Sequence, residues 1–133
     1  MPYMAAVMTL SDKGSRGERV DTSGPRAAEI LKEHGFKIVE EIILPDEEAQ
    51  IKKHLIRLSD SRQVDLIITT GGTGLSPRDR TPEATLAVAD RNVPGISEAI
   101  RAGSMTITKR AMLSRGVSVI RKKTLIINLP GSK

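Results

Sequence analysis

The sequence has no cysteine and no tryptophan, and one tyrosine and one phenylalanine among 133 residues. Without cysteine, disulfides, thiolate metal sites and a cysteine nucleophile are excluded. With so few aromatics, stacking on nucleic-acid bases is a poor basis for function. The core must be built from Ile, Leu, Val, Ala and Met, which suits a parallel sheet buried on both faces. No apolar run approaches the length needed to span a bilayer. The opening Met-Pro-Tyr-Met-Ala-Ala-Val-Met lacks a basic segment and a long apolar stretch. No signal peptide is expected there, and the plain reading is cytoplasmic. Acidic residues are absent after Glu98, whereas Arg101, Lys109, Arg110, Arg115, Arg121, Lys122, Lys123 and Lys133 all follow it. The net charge is +5, from 21 basic and 16 acidic residues. A stretch of one sign attracts anions. It fits a solvated surface, a polyphosphate site or, last, nucleic acid, for which no recognition motif is present.

What is there reads as one α/β domain over 1–133. Met4–Leu10 is expected to be a buried strand, followed by a polar loop from Ser11 to Arg19. Pro25–His34 is expected to be a helix capped by Ser23 and stopped by Gly35. Phe36–Leu44 reads as a second strand ended by Pro45, with Asp46 well placed to cap a helix carrying Ile51, Leu55 and Leu58. Val64–Thr69 is a third, β-branched strand. Thr81 should cap a helix with Pro82 in its first turn, and Pro94 should open another through Ile100. Met105–Leu113 is expected to be helical, although its threonines argue against this. Val117–Ile120 and Leu125–Leu129 should form a hairpin around Arg121-Lys122-Lys123. Early alternation of strand and helix gives a βαβ sheet with helices on both faces.

The densest chemistry lies in Thr69-Thr70-Gly71-Gly72-Thr73-Gly74, directly after the third strand. Ligands of open α/β sheets bind beyond the carboxyl ends of strands. Glycines there allow close backbone approach, and their amides can cradle an anion. The loop is neither a dinucleotide fingerprint nor a P-loop. A tight turn needing small residues remains the plain alternative. Asp79 either caps or pairs locally with Arg78 or Arg80, or holds a divalent cation or orients a phosphate acceptor. Asp46 ends the neighbouring strand and is open to the same two readings. Two carboxylates beside a phosphate make sense when Mg²⁺ bridges them to it. The first loop, with Ser11, Asp12, Gly14, Gly17, Asp21, Ser23 and Gly24, should open on the same edge. Gly131 and Ser132 follow the final strand and could touch an anion. His34 and His54 lie in expected helices and have no partner at metal or general-base spacing. No Gly-x-Ser-x-Gly elbow supports a hydrolase triad.

Thr69 through Thr81-Pro82-Glu83-Ala84-Thr85 resembles the molybdopterin-binding motif of the molybdopterin adenylyltransferase family. Ser11-Asp12 through Asp21-Thr22-Ser23-Gly24, Leu44-Pro45-Asp46, Leu86 through Arg91, Pro94-Gly95 and Ile126 through Ser132 resemble that family in the same order. The resemblance covers essentially the whole chain. It implies a three-layer α/β/α sandwich with a mostly parallel central sheet, often assembled as a homotrimer. It implies transfer of AMP from Mg-ATP to the terminal phosphate of molybdopterin, with release of pyrophosphate, and a molybdenumtransferase partner that inserts the metal. The related alternative is a molybdopterin-binding or scaffold protein with little turnover. Neither nucleic acid nor membrane is implied. By resemblance, Asp46 and Asp79 are the catalytic, Mg²⁺-holding carboxylates. Gly71, Gly72, Thr73 and Gly74 form the pterin and nucleotide loop, with Ser76 nearby. Ser11 and Gly14 lie near the nucleotide, Glu98 faces the site, and Pro130, Gly131 and Ser132 meet the pterin phosphate. The family normally continues past this point with another proline and a C-terminal helix, whereas this sequence stops at Lys133.

Overall fold

The computed structural model describes residues 2–18 and 20–131. The elements run β1 (Met4–Leu10), α1 (Asp12–Ser15), α2 (Ser23–Glu33), β2 (Lys37–Leu44), α3 (Glu48–Ile56), β3 (Leu66–Thr70), α4 (Thr81–Val88), β4 (Arg91–Asn92), α5 (Pro94–Met105), β5 (Ser118–Arg121) and β6 (Thr124–Leu129). A π-helical turn, Arg57–Ser61, ends α3, and a 3₁₀ turn, Lys109–Leu113, follows α5. The six strands form one sheet in the order β2-β1-β3-β6-β5-β4. Strands β2, β1, β3 and β6 are mutually parallel; β5 is antiparallel to both β6 and β4.

Period-two alternation divides the core into two layers. On one face Ala6, Met8, Ile67 and Ile126 meet Ile51, Leu55 and Leu58 from α3 and its π turn, and Ala84 and Val88 from α4. On the other, Ala5, Leu66 and Ile68 meet Ala27 and Leu31 of α2. Helix α5 packs on that second face near β5, where the Ser118 hydroxyl accepts the Ser97 amide at 3.0 Å. The expected three-layer α/β/α sandwich is therefore observed.

Four local expectations need correction. Ser23 is the first helical residue of α2, not its cap; the Asp21 carboxylate accepts the Gly24 amide at 3.1 Å instead. Asp46 does not cap α3, because the chain takes one further extended residue, Glu47, before the helix. Thr81 already belongs to α4, and its hydroxyl donates to the Gly71 carbonyl at 3.1 Å. The expected helix over Met105–Leu113 is replaced by the end of α5 and the 3₁₀ turn, where the Thr108 hydroxyl accepts the Arg110 amide at 3.2 Å. That local bond competes with helix continuation. Strand β4 was not anticipated: two residues are too short to leave a pattern.

A buried polar chain ties the sheet to α4. Asn128 Nδ2 donates to Thr69 Oγ1 at 3.0 Å and Thr85 Oγ1 at 3.1 Å, while Asn128 Oδ1 accepts the Val117 amide at 3.2 Å. Thr85 Oγ1 donates to the Thr81 carbonyl at 2.8 Å. Thr69, Thr81 and Thr85 are fully buried and Asn128 nearly so. Truncating Asn128 strands several polar groups at once. Asn128→Ala should lower unfolding free energy by about 2–4 kcal/mol in urea titrations, more than one ordinary hydrogen bond is worth.

Candidate functional site

Because β1, β2, β3 and β6 run parallel, their carboxyl ends share one edge of the sheet. The connections after these four strands open together there, as the crevice rule for α/β sheets requires. Between them lies a cleft of about 260 Å³. Ser11 and Gly14 line it after β1, Asp46 after β2, Gly71 and Gly72 after β3, and Gly131 after β6. Asp79 closes one side, and Asp21, Thr22 and Ser23 at the start of α2 close another.

The glycine loop needs its glycines for two reasons. Gly71 and Gly72 have φ of +92° and +72°, in the left-handed region that disfavours side chains. A Cβ on Gly71 would also stand 2.5 Å from the Leu10 carbonyl, and one on Gly72 would collide with Thr81 Oγ1. The turn is held by the Gly71 amide on the Leu129 carbonyl at 3.1 Å, and by the Thr81 amide and hydroxyl on the Gly72 and Gly71 carbonyls. These bonds turn both glycine carbonyls toward α4. Among the described residues the amides of Gly72 and Thr73 have no hydrogen-bond partner.

Opposite the loop stands an acidic group. The chain after β1 and the chain after β2 exchange bonds: the Asp12 amide donates to Asp46 Oδ2 at 3.2 Å, and the Asp46 amide to Asp12 Oδ1 at 2.9 Å. Arg78 clamps Asp12 with Nε at 3.0 Å and a terminal nitrogen at 2.7 Å. The Arg78 guanidinium holds the Asp12 carboxyl below its ordinary value. Asp46 is shifted the other way: burial raises its pKa, and the nearby Asp12 and Asp79 charges add to that. Asp46 Oδ1 is shielded from solvent and has no hydrogen-bond partner. It would lie 3.2 Å from a Cβ on Gly72, so it points at the glycine loop. Asp79 does not pair with Arg78 or Arg80, which bind Asp12 and Glu48; its Oδ2 accepts the Ser76 amide at 2.9 Å.

Of the expected site residues, Ser11, Gly14, Asp46, Gly71, Gly72, Asp79 and Gly131 meet at the cleft. Thr73 is buried beneath the loop, where its hydroxyl accepts from Ser114 at 3.4 Å, and Gly74 presents its carbonyl to Arg115. Ser76 lies on the exposed outer turn. Pro130 faces a separate small depression beside Arg101 and Ser114. Glu98 is exposed on α5 and does not line the cleft of its own chain. Ser132 lies outside the described residues. Sequence reasoning missed the Asp12–Asp46 exchange and the Arg78 clamp. The signal was available: two aspartates directly follow neighbouring parallel strands.

The family model described as a probable molybdopterin-binding domain matches residues 6–133. The chain belongs to the molybdopterin-binding domain family. It is similar to the molybdopterin adenylyltransferases of Helicobacter pylori strain J99 and Escherichia coli K12, each at 44% identity over 94% of this chain. The match spans 72% of the first and 65% of the second. Among solved structures it resembles the molybdopterin biosynthesis enzyme MoaB of Thermus thermophilus, at 48% identity and a TM-score of 0.92, covering 98% of this chain and 82% of that one. A CinA structure from Thermoplasma acidophilum, at 18% identity and a TM-score of 0.73 over 97% of this chain and 89% of that one, shares the fold.

The site thus holds a carboxylate in a position where ionisation is costly. Burial raises the folded-state pKa of Asp46 above its unfolded value. Ionised Asp46 therefore destabilises the fold above that pKa, and the penalty fades as pH falls through it. Asp46→Asn should have a higher thermal midpoint than the parent at pH 7 without divalent cations. The gap should close as the pH is lowered through the Asp46 pKa, as melts across pH 3–8 would record.

Proposed function

We propose that the chain is a molybdopterin adenylyltransferase of molybdenum cofactor biosynthesis. It transfers AMP from Mg-ATP to the terminal phosphate of molybdopterin. A phosphate oxygen of the pterin attacks the α-phosphorus of ATP, and the bond from that phosphorus to the departing pyrophosphate breaks. The nucleophile is already an anion, so no strong protein base is needed. What remains is to align two polyanions and offset their repulsion. The observation that carries the reading is the buried, unpartnered Asp46 Oδ1 facing the Gly71–Gly72 turn, with Asp79 across the same cleft. The names of the relatives at 44% identity point to the same reaction.

The donor set suits Mg²⁺. It takes oxygen ligands, binds through one or two carboxylates and substrate phosphates, and keeps waters. Asp46 and Asp79 would hold it, and when bound it supplies positive charge at the phosphate oxygens. The Gly72 amide and the backbone at Gly131, both at the cleft, receive phosphate oxygens, with Ser11 and Gly14 on the nucleotide side. In this reading the protein works in the cytoplasm, as a homotrimer, and passes its product to a molybdenumtransferase. No helix among the described residues is long and apolar enough to cross a membrane.

The family model's description, a probable molybdopterin-binding domain, also fits a second reading, a molybdopterin-binding protein with little turnover. Incubation with molybdopterin and Mg-ATP separates the two. The enzyme releases pyrophosphate and forms adenylylated pterin; the binding protein does neither. Asp79→Asn should leave the fold intact and lower AMP transfer by about 100-fold or more. Wild-type turnover in that variant would remove Asp79 from the reaction. Excess EDTA should abolish transfer, and added Mg²⁺ should restore it. Full activity in EDTA would remove the cation.

A further inference from the structure

Asp79 sits on a loop that burial does not hold. Residues 75–78 are exposed, and Leu75 is 67% exposed. Yet a carboxylate that acts on a substrate must be fixed to within a fraction of an ångström. The loop is held by polar contacts with residues outside it: Arg78 ties its outer turn to Asp12, and the contacts at its two ends converge on Arg115. Its Nε donates to the Gly74 carbonyl at 2.7 Å, and a terminal nitrogen donates to the Asp79 carbonyl at 2.6 Å. Its other terminal nitrogen binds the Glu83 carboxylate on α4. Its own amide donates to the Thr73 carbonyl at 2.8 Å. One residue therefore grips both ends of the Gly74–Asp79 segment and anchors it to α4.

We propose that Arg115 is a positioning residue, which holds the Gly74–Asp79 loop closed and so sets the Asp79 carboxylate in the cleft. The geometry is that of a planar fork. Guanidinium can serve two carbonyls and a carboxylate at once, whereas an ammonium on a flexible stem offers no such fixed directions. With both ends gripped, the Ser76 amide meets Asp79 Oδ2 at 2.9 Å and the Asp79 amide meets the Ser76 carbonyl at 2.9 Å. The first bond ties down one carboxylate oxygen and the second closes the turn, while the other carboxylate oxygen accepts no hydrogen bond among the described residues. Arg115 thus acts through Asp79 and not as part of a diffuse basic field.

The test compares Arg115→Lys with Arg110→Met, which removes an exposed charge from the same basic stretch. Hydrogen exchange of the Ser76 and Asp79 amides is read without substrate. Kinetics rest on the AMP-transfer reading; exchange does not. Arg115→Lys should lower protection at Ser76 and Asp79 by about 10-fold while β1 amides keep theirs. It should lower kcat by about 10- to 100-fold, with KM for both substrates within about threefold. Arg110→Met should change neither. Unchanged loop protection in Arg115→Lys overturns the proposal. So does an equal, salt-dependent rise in KM in both variants, which is the signature of steering. Should Arg115→Lys fail to fold, Glu83→Ala removes the acceptor of one arm of the fork and should give the same loop-limited loss at smaller size; unchanged protection there overturns the proposal equally. If the parent protein forms no adenylylated pterin, the proposed reaction fails and exchange alone decides on Arg115.

Discussion

Four strands that run parallel must end at one edge, and the site follows from that constraint. The pairing of β2, β1, β3 and β6 brings chain from four places, 11–14, 46, 71–72 and 131, to one cleft. The order also changes direction at β1. The chain moves outward to β2, returns past β1 to β3, and sends its later strands to the far side. A crevice opens where neighbouring connections leave in opposite senses. The apolar layers and the Asn128 chain serve this end by fixing where each strand stops.

Within the cleft, two kinds of partial charge oppose each other. On one side are peptide dipoles: the Thr81 amide and hydroxyl turn the Gly71 and Gly72 carbonyls away and leave amides free. On the other are Asp46 and Asp79, with Asp12 held off by Arg78. Amides favour an anion and carboxylates favour a cation. A phosphate with its counter-cation satisfies both at once, whereas either ion alone leaves one side uncompensated.

The fold was largely legible, because long apolar strands and Pro- or Gly-marked helix ends report their own boundaries. Caps were less so. Asp46 and Thr81 carry residue types that cap helices well, but tertiary partners claimed their side chains first. The glycine loop was legible because position and composition agree. The basic run after Glu98 was legible only in part, for a physical reason: composition counts charges without asking what holds them. Arg101 donates to the Gly116 carbonyl, Arg115 grips Gly74, Asp79 and Glu83, and Arg121 binds Asp60 and the Val88 carbonyl. Three arginines of that run are therefore internal scaffolding, whereas Lys109, Arg110, Lys122 and Lys123 are exposed, and an arginine's partners are set by topology the local sequence does not contain. Glu98 shows the converse, since matching a motif position did not bring it to the cleft of its own chain.

Asp46 also bears on whether the chain catalyses or merely binds. A protein that only held a phosphate would be better served by an uncharged side chain after β2. Asn would still accept the Asp12 amide, would relieve repulsion from Asp12 and Asp79, and would not oppose a bound anion. A buried carboxylate oxygen without a partner costs stability in every state that lacks a cation. Such cost is commonly concentrated where a group must be ready for chemistry. In the reaction proposed above, its return would come in a state with a cation and a polyphosphate both present, the ground state of nucleotidyl transfer. On the proposed reading, the same carboxylate that weakens the fold would be the feature that separates a transferase from a pterin carrier built on this sheet.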